Sequence, residues 1–238
     1  MSWMQGKTVL VTGGSQGIGQ ATAALFRDAG AKVTVAGTRA SASDYPDEDL
    51  AGMTYVQCRM GEKADVEALA ARFKALNVLV NNAGTGRPDE YDQDQFEEVL
   101  TINLSAVMKL STLLKPALAK SGGAIVNVGS LSSFLALKET PAYTASKTGL
   151  LGLTRALADK WAPDGIRVNM VAPGFIETRM TAPMREHEGY EAKLLKAVPM
   201  RRWGEPREVA ECIAFLAGPG ASYVTGQSLA MDGGLMLR

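Results

Sequence analysis

The chain has 238 residues, and 25 of them are glycine, whereas an average usage of roughly 7% would give about 17. It carries 25 basic and 25 acidic side chains, so its formal net charge is zero, and 46% of its residues are hydrophobic. This composition excludes a disordered chain and argues against a nucleic-acid partner, since proteins that bind nucleic acids do so through a large positive excess.

Short apolar runs alternate along the chain with longer segments of helical periodicity. Such alternation is typical of βαβ units, in which parallel strands form a sheet and helices cover both of its faces. We predict a single α/β domain over residues 1–238, a doubly wound parallel sheet (Rossmann fold) of about seven strands. The predicted strands are Thr8–Thr12, Lys32–Ala36, Thr54–Cys58, Val78–Asn81, Ala124–Val128, Arg167–Ala172 and Ser228–Met231. The predicted helices lie near Gly17–Ala29, Glu62–Ala75, Asp92–Lys120, Tyr143–Ala162 and Pro206–Ala217.

A glycine-rich turn follows the first predicted strand. The sequence T-G-G-S-Q-G-I-G at 12–19 leads directly into a helix. Glycines in such a turn let the backbone approach a pyrophosphate, whose charge is met by the helix N-terminus. The spacing differs from the strict G-x-G-x-x-G form, and a helix-entry turn without a ligand is the alternative. We predict dinucleotide binding here, with contacts from Gly13, Ser15, Gln16, Gly17, Ile18 and Gly19.

The end of the second strand indicates which dinucleotide binds. It reads A-G-T-R at 36–39, without the acidic residue that would bind the ribose 2′-hydroxyl of NAD. Gly37 leaves room for the 2′-phosphate of NADP, and Arg39 can pair with that phosphate or stack on the adenine. The alternative for this arginine is a solvated surface position. The sequence therefore favours NADP(H) over NAD(H), with contacts from Thr38 and Arg39, and the polar stretch 40–49 is predicted to be a surface loop.

Tyr143 and Lys147 lie one turn apart on the apolar stripe of a predicted helix. A lysine on such a stripe must find a partner or lose its charge. Beside a tyrosine, its ammonium would favour the phenolate and lower a pKa that starts near 10. Tyr-x-x-x-Lys occurs by chance on many helices, so the pair needs support from other residues.

Three further segments provide that support. Ser130 follows the fifth strand and could polarise a substrate carbonyl. The fourth strand ends in a compliant turn fit to line a cofactor, with Asn82, Ala83 and Gly84 as contacts. Asn103 lies on the apolar stripe of the long helix, where it must be hydrogen-bonded. It is either a structural tie or also the holder of a water for proton exchange.

Together these segments resemble the short-chain dehydrogenase/reductase family over essentially the whole chain. The resemblance implies an Asn-Ser-Tyr-Lys tetrad at positions 103, 130, 143 and 147. In it, Tyr143 is the general acid/base, Ser130 binds the carbonyl, Lys147 holds the nicotinamide ribose and tunes the tyrosine, and Asn103 anchors a proton-relay water. Tyr143 and Lys147 would thus also touch the cofactor. The matching motifs are those above, Pro173-Gly174, Y-V-T-G at 223–226 and D-G-G at 232–234, and further cofactor contacts are implied at Pro173, Gly174, Ile176 and Thr178.

Two positions depart from the family pattern. Arg59 stands where the family most often has an aspartate that contacts the adenine, which puts that contact in doubt and offers a second cation near the 2′-phosphate. Gln16 stands where NADP users often carry a basic residue. Substrate choice is assigned to a lid near 174–204, whose methionines adapt to irregular apolar shapes, with ordinary packing as the alternative. The lid also carries Arg179, Arg185, Arg201 and Arg202.

The segments 172–180 and 222–234 resemble the 3-oxoacyl-[acyl-carrier-protein] reductase branch. We therefore expect an NADP(H)-dependent carbonyl and secondary-alcohol oxidoreductase acting on a 3-oxoacyl thioester, whose lid arginines could meet an acidic carrier protein. A sugar, polyol or secondary-alcohol dehydrogenase is the alternative. A non-catalytic dinucleotide-binding regulator is disfavoured by the intact tetrad. The resemblance also implies a homotetramer.

The chain has two cysteines and one histidine. Cys58 and Cys212 are too few for a disulfide framework or a four-thiolate metal site, and we expect small buried hydrophobes. His187 is expected to be a solvated surface residue, so no metal site is predicted. A strand begins too early for a signal peptide, and no run of about 18 apolar residues suggests a membrane span. We expect a soluble cytoplasmic protein without a membrane partner.

Overall fold

Seven parallel strands form one sheet in the computed structural model, which describes residues 1–186 and 189–237. Their order is β3-β2-β1-β4-β5-β6-β7, and each strand pairs with its neighbours in parallel. The predicted doubly wound sheet is confirmed, and the strand ends agree with the predicted ones to within one residue. The strands are β1 (Thr8–Thr12), β2 (Lys32–Gly37), β3 (Thr54–Gln57), β4 (Val78–Asn81), β5 (Ala124–Val128), β6 (Arg167–Pro173) and β7 (Ser228–Met231).

Eight α-helices lie among the described residues. They are α1 (Gly17–Asp28), α2 (Lys63–Ala70), α3 (Gln93–Leu100), α4 (Ala106–Ala119), α5 (Pro141–Trp161), α6 (Ala182–Glu186), α7 (Tyr190–Ala197) and α8 (Pro206–Ala217). The helix predicted over Asp92–Lys120 is interrupted by a π-helical turn at Thr101–Ser105. The helix predicted over Glu62–Ala75 ends at Ala70, and α6 and α7 were not predicted. None of the described helices has the length and hydropathy needed to cross a membrane.

Both faces of the sheet are covered because successive strand residues point to opposite sides. Val9 and Val11 join one hydrophobic cluster with Phe26 of α1, whereas Leu10 joins another cluster with Leu110 of α4. Strands β4 and β5 are buried along their whole length. Because these buried central strands are parallel, their carboxyl ends lie at the same edge of the sheet. Ligands of such sheets bind at that edge.

The stretch 40–49 is only partly the surface loop that its composition predicts. It contains a 3₁₀ turn at Ala42–Asp44 followed by Tyr45, whose side chain is only 5% exposed. The Tyr45 ring packs against Tyr55 of β3, with 5.8 Å between the ring centroids. The segment therefore folds back over the carboxyl end of β2.

The two cysteines are free, and neither is a reactive thiol. Cys58 is buried, and burial raises the pKa of its thiol to about 11. Cys212 is half-buried and packs against the core beside α1, and burial raises its pKa as well. Both behave as the small hydrophobes that the sequence predicts. His187 lies outside the described residues.

Candidate active site

The loop after β4 is locked onto the glycine turn after β1. The Thr12 hydroxyl accepts the backbone N–H groups of Asn82 and Ala83, both at 3.1 Å. The Asn82 amide nitrogen in turn donates to the carbonyls of Thr12 (3.1 Å) and Gly13 (2.9 Å). These four hydrogen bonds thus join two segments that the sequence predicts to bind the cofactor.

The glycine turn has no room for side chains. Gly13 has a φ of +61°, and a β-carbon on Gly19 would lie 2.1 Å from the Gly13 carbonyl oxygen. Gln16 precedes α1 in an extended conformation, and no side chain caps the helix there. The first N–H groups of α1 therefore have no side-chain partner, and the glycines let the backbone come close to a ligand. Together they form a cradle that fits a pyrophosphate. Ser15 is buried beside the turn, and Ile18 packs against the core.

The lid begins where the chain leaves β6 and crosses toward the glycine turn. The N–H of Gly174, which follows Pro173, donates to the Met231 carbonyl at 2.9 Å. Ile176 is buried, and its backbone forms an isolated β-bridge with Gly204. A β-carbon on Gly17 would lie 3.4 Å from the Thr178 methyl group, so Thr178 lies at the start of α1. Thr178 is thus the lid residue that reaches the cofactor cradle, whereas Gly174 and Ile176 anchor the lid to the end of β7 and to Gly204.

The end of β2 and the end of β3 carry the two predicted cationic contacts. Thr38 and Arg39 are exposed, and the Arg39 guanidinium lies 4.6 Å from the centroid of the Tyr45 ring. Arg59 is held by Asp65 of α2, with 2.8 Å between Nε and Oδ2. A phosphate or adenine contact from Arg59 would have to compete with this ion pair, so Arg39 is the better placed of the two arginines.

Tyr143 and Lys147 lie on the first turns of α5, which begins at Pro141. Lys147 is only 3% exposed, and its Nζ donates to the Val128 carbonyl at 2.8 Å and lies 5.6 Å from the Tyr143 ring centroid. Burial lowers the pKa of Lys147 to about 8. The ammonium is therefore kept close to the tyrosine at the end of β5.

In the protein alone the pKa of Tyr143 is raised, whereas the neighbouring ammonium was expected to lower it. Burial raises it most, a hydrogen bond with Ser130 lowers it, and the nearby charge of Glu90 raises it again. Ser130 lies two residues after the end of β5, and its hydroxyl also accepts the Ser132 N–H at 3.2 Å. Tyr143 is thus a protonated phenol in contact with the predicted carbonyl-binding serine.

Asn103 lies in the π-helical turn and ties three segments together. Its Oδ1 accepts the Thr85 N–H at 2.8 Å, and its Nδ2 donates to the Thr85 carbonyl at 2.9 Å and to the Ser146 hydroxyl at 3.1 Å. The Ser146 hydroxyl donates to the Tyr143 carbonyl at 2.8 Å. The side chain therefore forms the structural tie that a buried asparagine requires. A β-carbon on Gly84 would lie 3.4 Å from Asn103 Oδ1 and 3.3 Å from Lys147 Nζ, so only a glycine fits comfortably between them.

Glu90 is a site residue that the sequence did not reveal. Its side chain is 1% exposed, Oε2 accepts the Tyr143 N–H at 2.7 Å, and Oε1 accepts the Arg87 N–H at 3.1 Å. A carboxylate is stabilised at a helix N-terminus, where it accepts otherwise unpaired N–H groups. Glu90 stands in a polar, acidic stretch of the sequence, and nothing in that stretch indicates that its side chain is buried.

The lid forms a small core of its own around Trp203. Phe175 packs edge-on against the Trp203 ring at 5.8 Å, and the Trp203 Nε1 donates to Glu191 at 2.7 Å. A cavity of about 360 Å³ lies between this core and the end of β7. Three of the four lid arginines are engaged within the chain. Arg185 pairs with Glu177, Arg202 pairs with Glu208, and Arg201 donates to the Lys196 carbonyl.

Comparisons with known proteins agree with this geometry. A family model described as "Enoyl-(Acyl carrier protein) reductase" matches residues 13–236. The 3-oxoacyl-[acyl-carrier-protein] reductase FabG of Vibrio cholerae is 37% identical over 243 residues, covering 98% of this chain and 99% of the relative. The 2-dehydro-3-deoxy-D-gluconate 5-dehydrogenase of Bacillus subtilis is 35% identical, with 99% and 96% covered.

A solved structure extends the comparison to a bound cofactor. The gluconate 5-dehydrogenase of Burkholderia cenocepacia, in complex with NADP and tartrate, superposes with a TM-score of 0.89 at 29% identity. The alignment covers 98% of this chain and 96% of that one. Family model, relatives and fold all span nearly the whole chain. The protein therefore belongs to the short-chain dehydrogenase/reductase family of NAD(P)-dependent oxidoreductases, as its motifs predicted.

Proposed function

We propose that this protein is an NADP(H)-dependent oxidoreductase that interconverts a carbonyl and a secondary alcohol, with Tyr143 as its general acid/base. The observation that carries the proposal is the buried Lys147 ammonium, 5.6 Å from the centroid of the Tyr143 ring, with Ser130 close enough to lower the pKa of that phenol. A buried cation beside a phenol costs stability and is typical of a functional site. It lies at the sheet edge where the glycine turn and the loop after β4 meet.

The residues at this edge fit a dinucleotide. The turn around Gly13 and Gly19 leaves backbone N–H groups open to a pyrophosphate, and the exposed Arg39 suits a 2′-phosphate. Lys147 would hold the nicotinamide ribose. When bound, the nicotinamide supplies or accepts a hydride at the carbonyl carbon of the substrate. The NADP in the Burkholderia structure supports this choice of cofactor.

The chain's own residues handle the proton. In reduction, the Ser130 hydroxyl holds the carbonyl oxygen, and Tyr143 donates its phenolic proton to that oxygen as the alcohol forms. The raised pKa of Tyr143 keeps this proton in place at neutral pH. In oxidation, the alcohol proton returns to the phenolate, which the nearby Lys147 ammonium stabilises. Asn103 and Glu90 hold the turn of α5 that presents the tyrosine.

We propose a 3-oxoacyl thioester as the first substrate class. Large apolar side chains are exposed in the segment between Ser130 and α5 and in the lid, and an acyl chain would cover such surface. The 37% identity to a 3-oxoacyl-[acyl-carrier-protein] reductase supports it. The engaged lid arginines support an acidic carrier protein less well than the sequence suggested. The exposed apolar residues are Phe134, Leu135, Leu137, Met180, Met184 and Met200.

A sugar-acid dehydrogenase is the second candidate. The 35% identity to a 2-dehydro-3-deoxy-D-gluconate 5-dehydrogenase is nearly as high as that to the thioester reductase. Tartrate, a hydroxy acid, is bound in the Burkholderia relative. For this candidate, the same Ser130 and Tyr143 would act on the keto group of a sugar acid.

A screen of absorbance at 340 nm tests both candidates. The purified protein is assayed with NADPH or NADH against acetoacetyl-CoA, longer 3-oxoacyl thioesters and keto sugar acids, and with NADP⁺ against gluconate. We expect NADPH-dependent reduction of 3-oxoacyl thioesters, which Tyr143→Phe abolishes and Tyr223→Phe, at an exposed tyrosine, leaves unchanged. Turnover of sugar acids alone would refute the thioester assignment, and turnover that survives Tyr143→Phe would refute the acid/base assignment.

We further propose that the protein is a cytoplasmic homotetramer. Met108 and Leu113 on the outer face of α4 and Leu229 on β7 are exposed apolar residues, which self-association would cover. Light scattering coupled to size-exclusion chromatography should give four times the 25.2 kDa chain mass. A monomer mass would refute the tetramer.

A further inference from the structure

Three hydroxyl groups converge on Gly37, the last residue of β2. A β-carbon on Gly37 would lie 2.8 Å from Tyr45 Oη, 2.9 Å from Tyr55 Oη and 3.0 Å from Ser15 Oγ. These residues come from three separate parts of the chain: the turn after β1, the segment after β2, and β3. The polar ends of two largely buried tyrosines are therefore gathered at the point where the dinucleotide's adenosine ribose is expected.

The hydrogen-bond partners distinguish the two tyrosines. Tyr55 Oη donates its only hydrogen to the Arg39 carbonyl at 2.6 Å. Tyr45 Oη accepts the Arg39 N–H at 3.2 Å, and its hydroxyl lies beside those of Ser15 and Tyr55. A hydroxyl has one donor and two acceptor positions. The Tyr45 and Ser15 hydrogens can therefore turn toward an anion, whereas the Tyr55 hydrogen is committed.

The same tyrosines fix Arg39. Its backbone is held at the N–H by Tyr45 and at the carbonyl by Tyr55. Its guanidinium lies over the Tyr45 ring, 4.6 Å from the centroid, and donates to the Asp44 carbonyl. A stacked and tethered arginine loses less side-chain freedom when it pairs with a phosphate. Tyr45 thus supports the cation and offers a hydroxyl beside it.

We propose that Tyr45 is a specificity-determining residue for the 2′-phosphate of NADP(H), donating its phenolic hydrogen to the phosphate and holding Arg39 against it. This inference rests on the proposed use of NADP(H). The cluster also disfavours NAD(H), since the acidic side chain that would bind a free 2′-hydroxyl would have to start from Gly37, where the three hydroxyls leave it no room. The Tyr45 and Ser15 hydroxyls instead offer donors at this point.

Calorimetric binding tests the inference without requiring turnover. Dissociation constants of the wild type, Tyr45→Phe and Tyr55→Phe are measured for NADP⁺ and NAD⁺, and for 2′,5′-ADP and 5′-AMP, which differ only in the 2′-phosphate. Tyr45→Phe keeps the ring under Arg39 and removes one hydrogen bond to a charged group, so NADP⁺ and 2′,5′-ADP should bind about tenfold more weakly or worse. NAD⁺ and 5′-AMP should change less than about twofold. Tyr55→Phe should have a smaller effect of the same kind, and the exposed Tyr223→Phe none.

The outcomes separate this inference from the proposed function. A wild type that binds NAD⁺ as tightly as NADP⁺ would refute the proposed cofactor and the inference with it. A wild type that prefers NADP⁺, with a Tyr45→Phe variant that keeps the same preference or loses both ligands equally, would overturn the role of Tyr45 alone. If Tyr45→Phe does not fold, Ser15→Ala removes the other free donor of the cluster, and it must weaken 2′,5′-ADP selectively for the inference to stand.

Discussion

Replacing Lys147 with methionine should make the folded protein more stable at pH 7. Lys147 is 3% exposed, and burial lowers its pKa from 10.5 to about 8. At about 1.4 kcal/mol per pH unit, the folded state therefore disfavours the ammonium by about 3 kcal/mol. Methionine has a similar length and no charge, but it leaves the Val128 carbonyl without this donor, at a cost of about 1–2 kcal/mol. The expected net gain is about 1–2 kcal/mol.

The gain should depend on pH in a defined direction. Because the pKa of Lys147 is lower in the folded than in the unfolded protein, unfolding takes up a proton between about pH 8 and pH 10.5. The stability of the wild type therefore rises with pH across this window, and the methionine variant lacks this contribution. The advantage of the variant should be greatest below pH 8 and should shrink by about 2 kcal/mol by pH 10.

Urea denaturation followed by circular dichroism measures this difference. Wild type, Lys147→Met and a control, Lys160→Met, at an exposed lysine of the same helix, are unfolded at pH 7, 8.5 and 10 without added cofactor. Groups far from this lysine titrate equally in all three proteins, so the difference between variants reports on Lys147 and its neighbour Tyr143. The reasoning would be refuted if Lys147→Met were less stable than wild type by the same amount at every pH.

Three further predictions concern the site. Tyr143→Phe should bind NADPH as the wild type does while turnover falls by a factor of about 10² or more, and near-normal kcat would contradict its role. Arg39→Ala should weaken NADPH binding about tenfold, as measured by fluorescence titration, and NADH binding much less, whereas equal losses would exclude a 2′-phosphate contact. Glu90→Ala leaves the N–H groups of Tyr143 and Arg87 without acceptors and should lower the free energy of unfolding by about 2–3 kcal/mol. An unchanged urea midpoint would show that solvent replaces the carboxylate.

The central strands could be predicted from the sequence because they are buried apolar runs bounded by turns. In β4 and β5 every residue is buried, so nearly continuous apolar runs are the pattern that the packing requires. The π-helical turn at Thr101–Ser105 could not be predicted in this way, since its apolar pattern resembles that of an α-helix. The lid helices α6 and α7 are short and depend on contacts around Trp203.

The motif residues of the site were predictable, whereas their supports were not. Ser130, Tyr143 and Lys147 follow strand ends or share a helix face, so local pattern brings them together. Glu90 is held by Tyr143, which is 53 positions further along the chain. Tyr45 packs against Tyr55 of β3. Burial of a polar side chain by distant segments leaves no local trace in composition. Nor did the sequence indicate that burial would raise the pKa of Tyr143.

The π-helical turn at Thr101–Ser105 limits how the chain length can vary. Such a turn holds one residue more than an α-helical turn, and it sets the rotation of α4 relative to α3. Deleting one residue from α4 just after this turn would rotate everything that follows by about 100° around the helix axis. Leu110 and Leu114, which are now buried beneath the sheet, would rotate toward solvent. Engineered insertions or deletions should therefore not be tolerated within this helix pair.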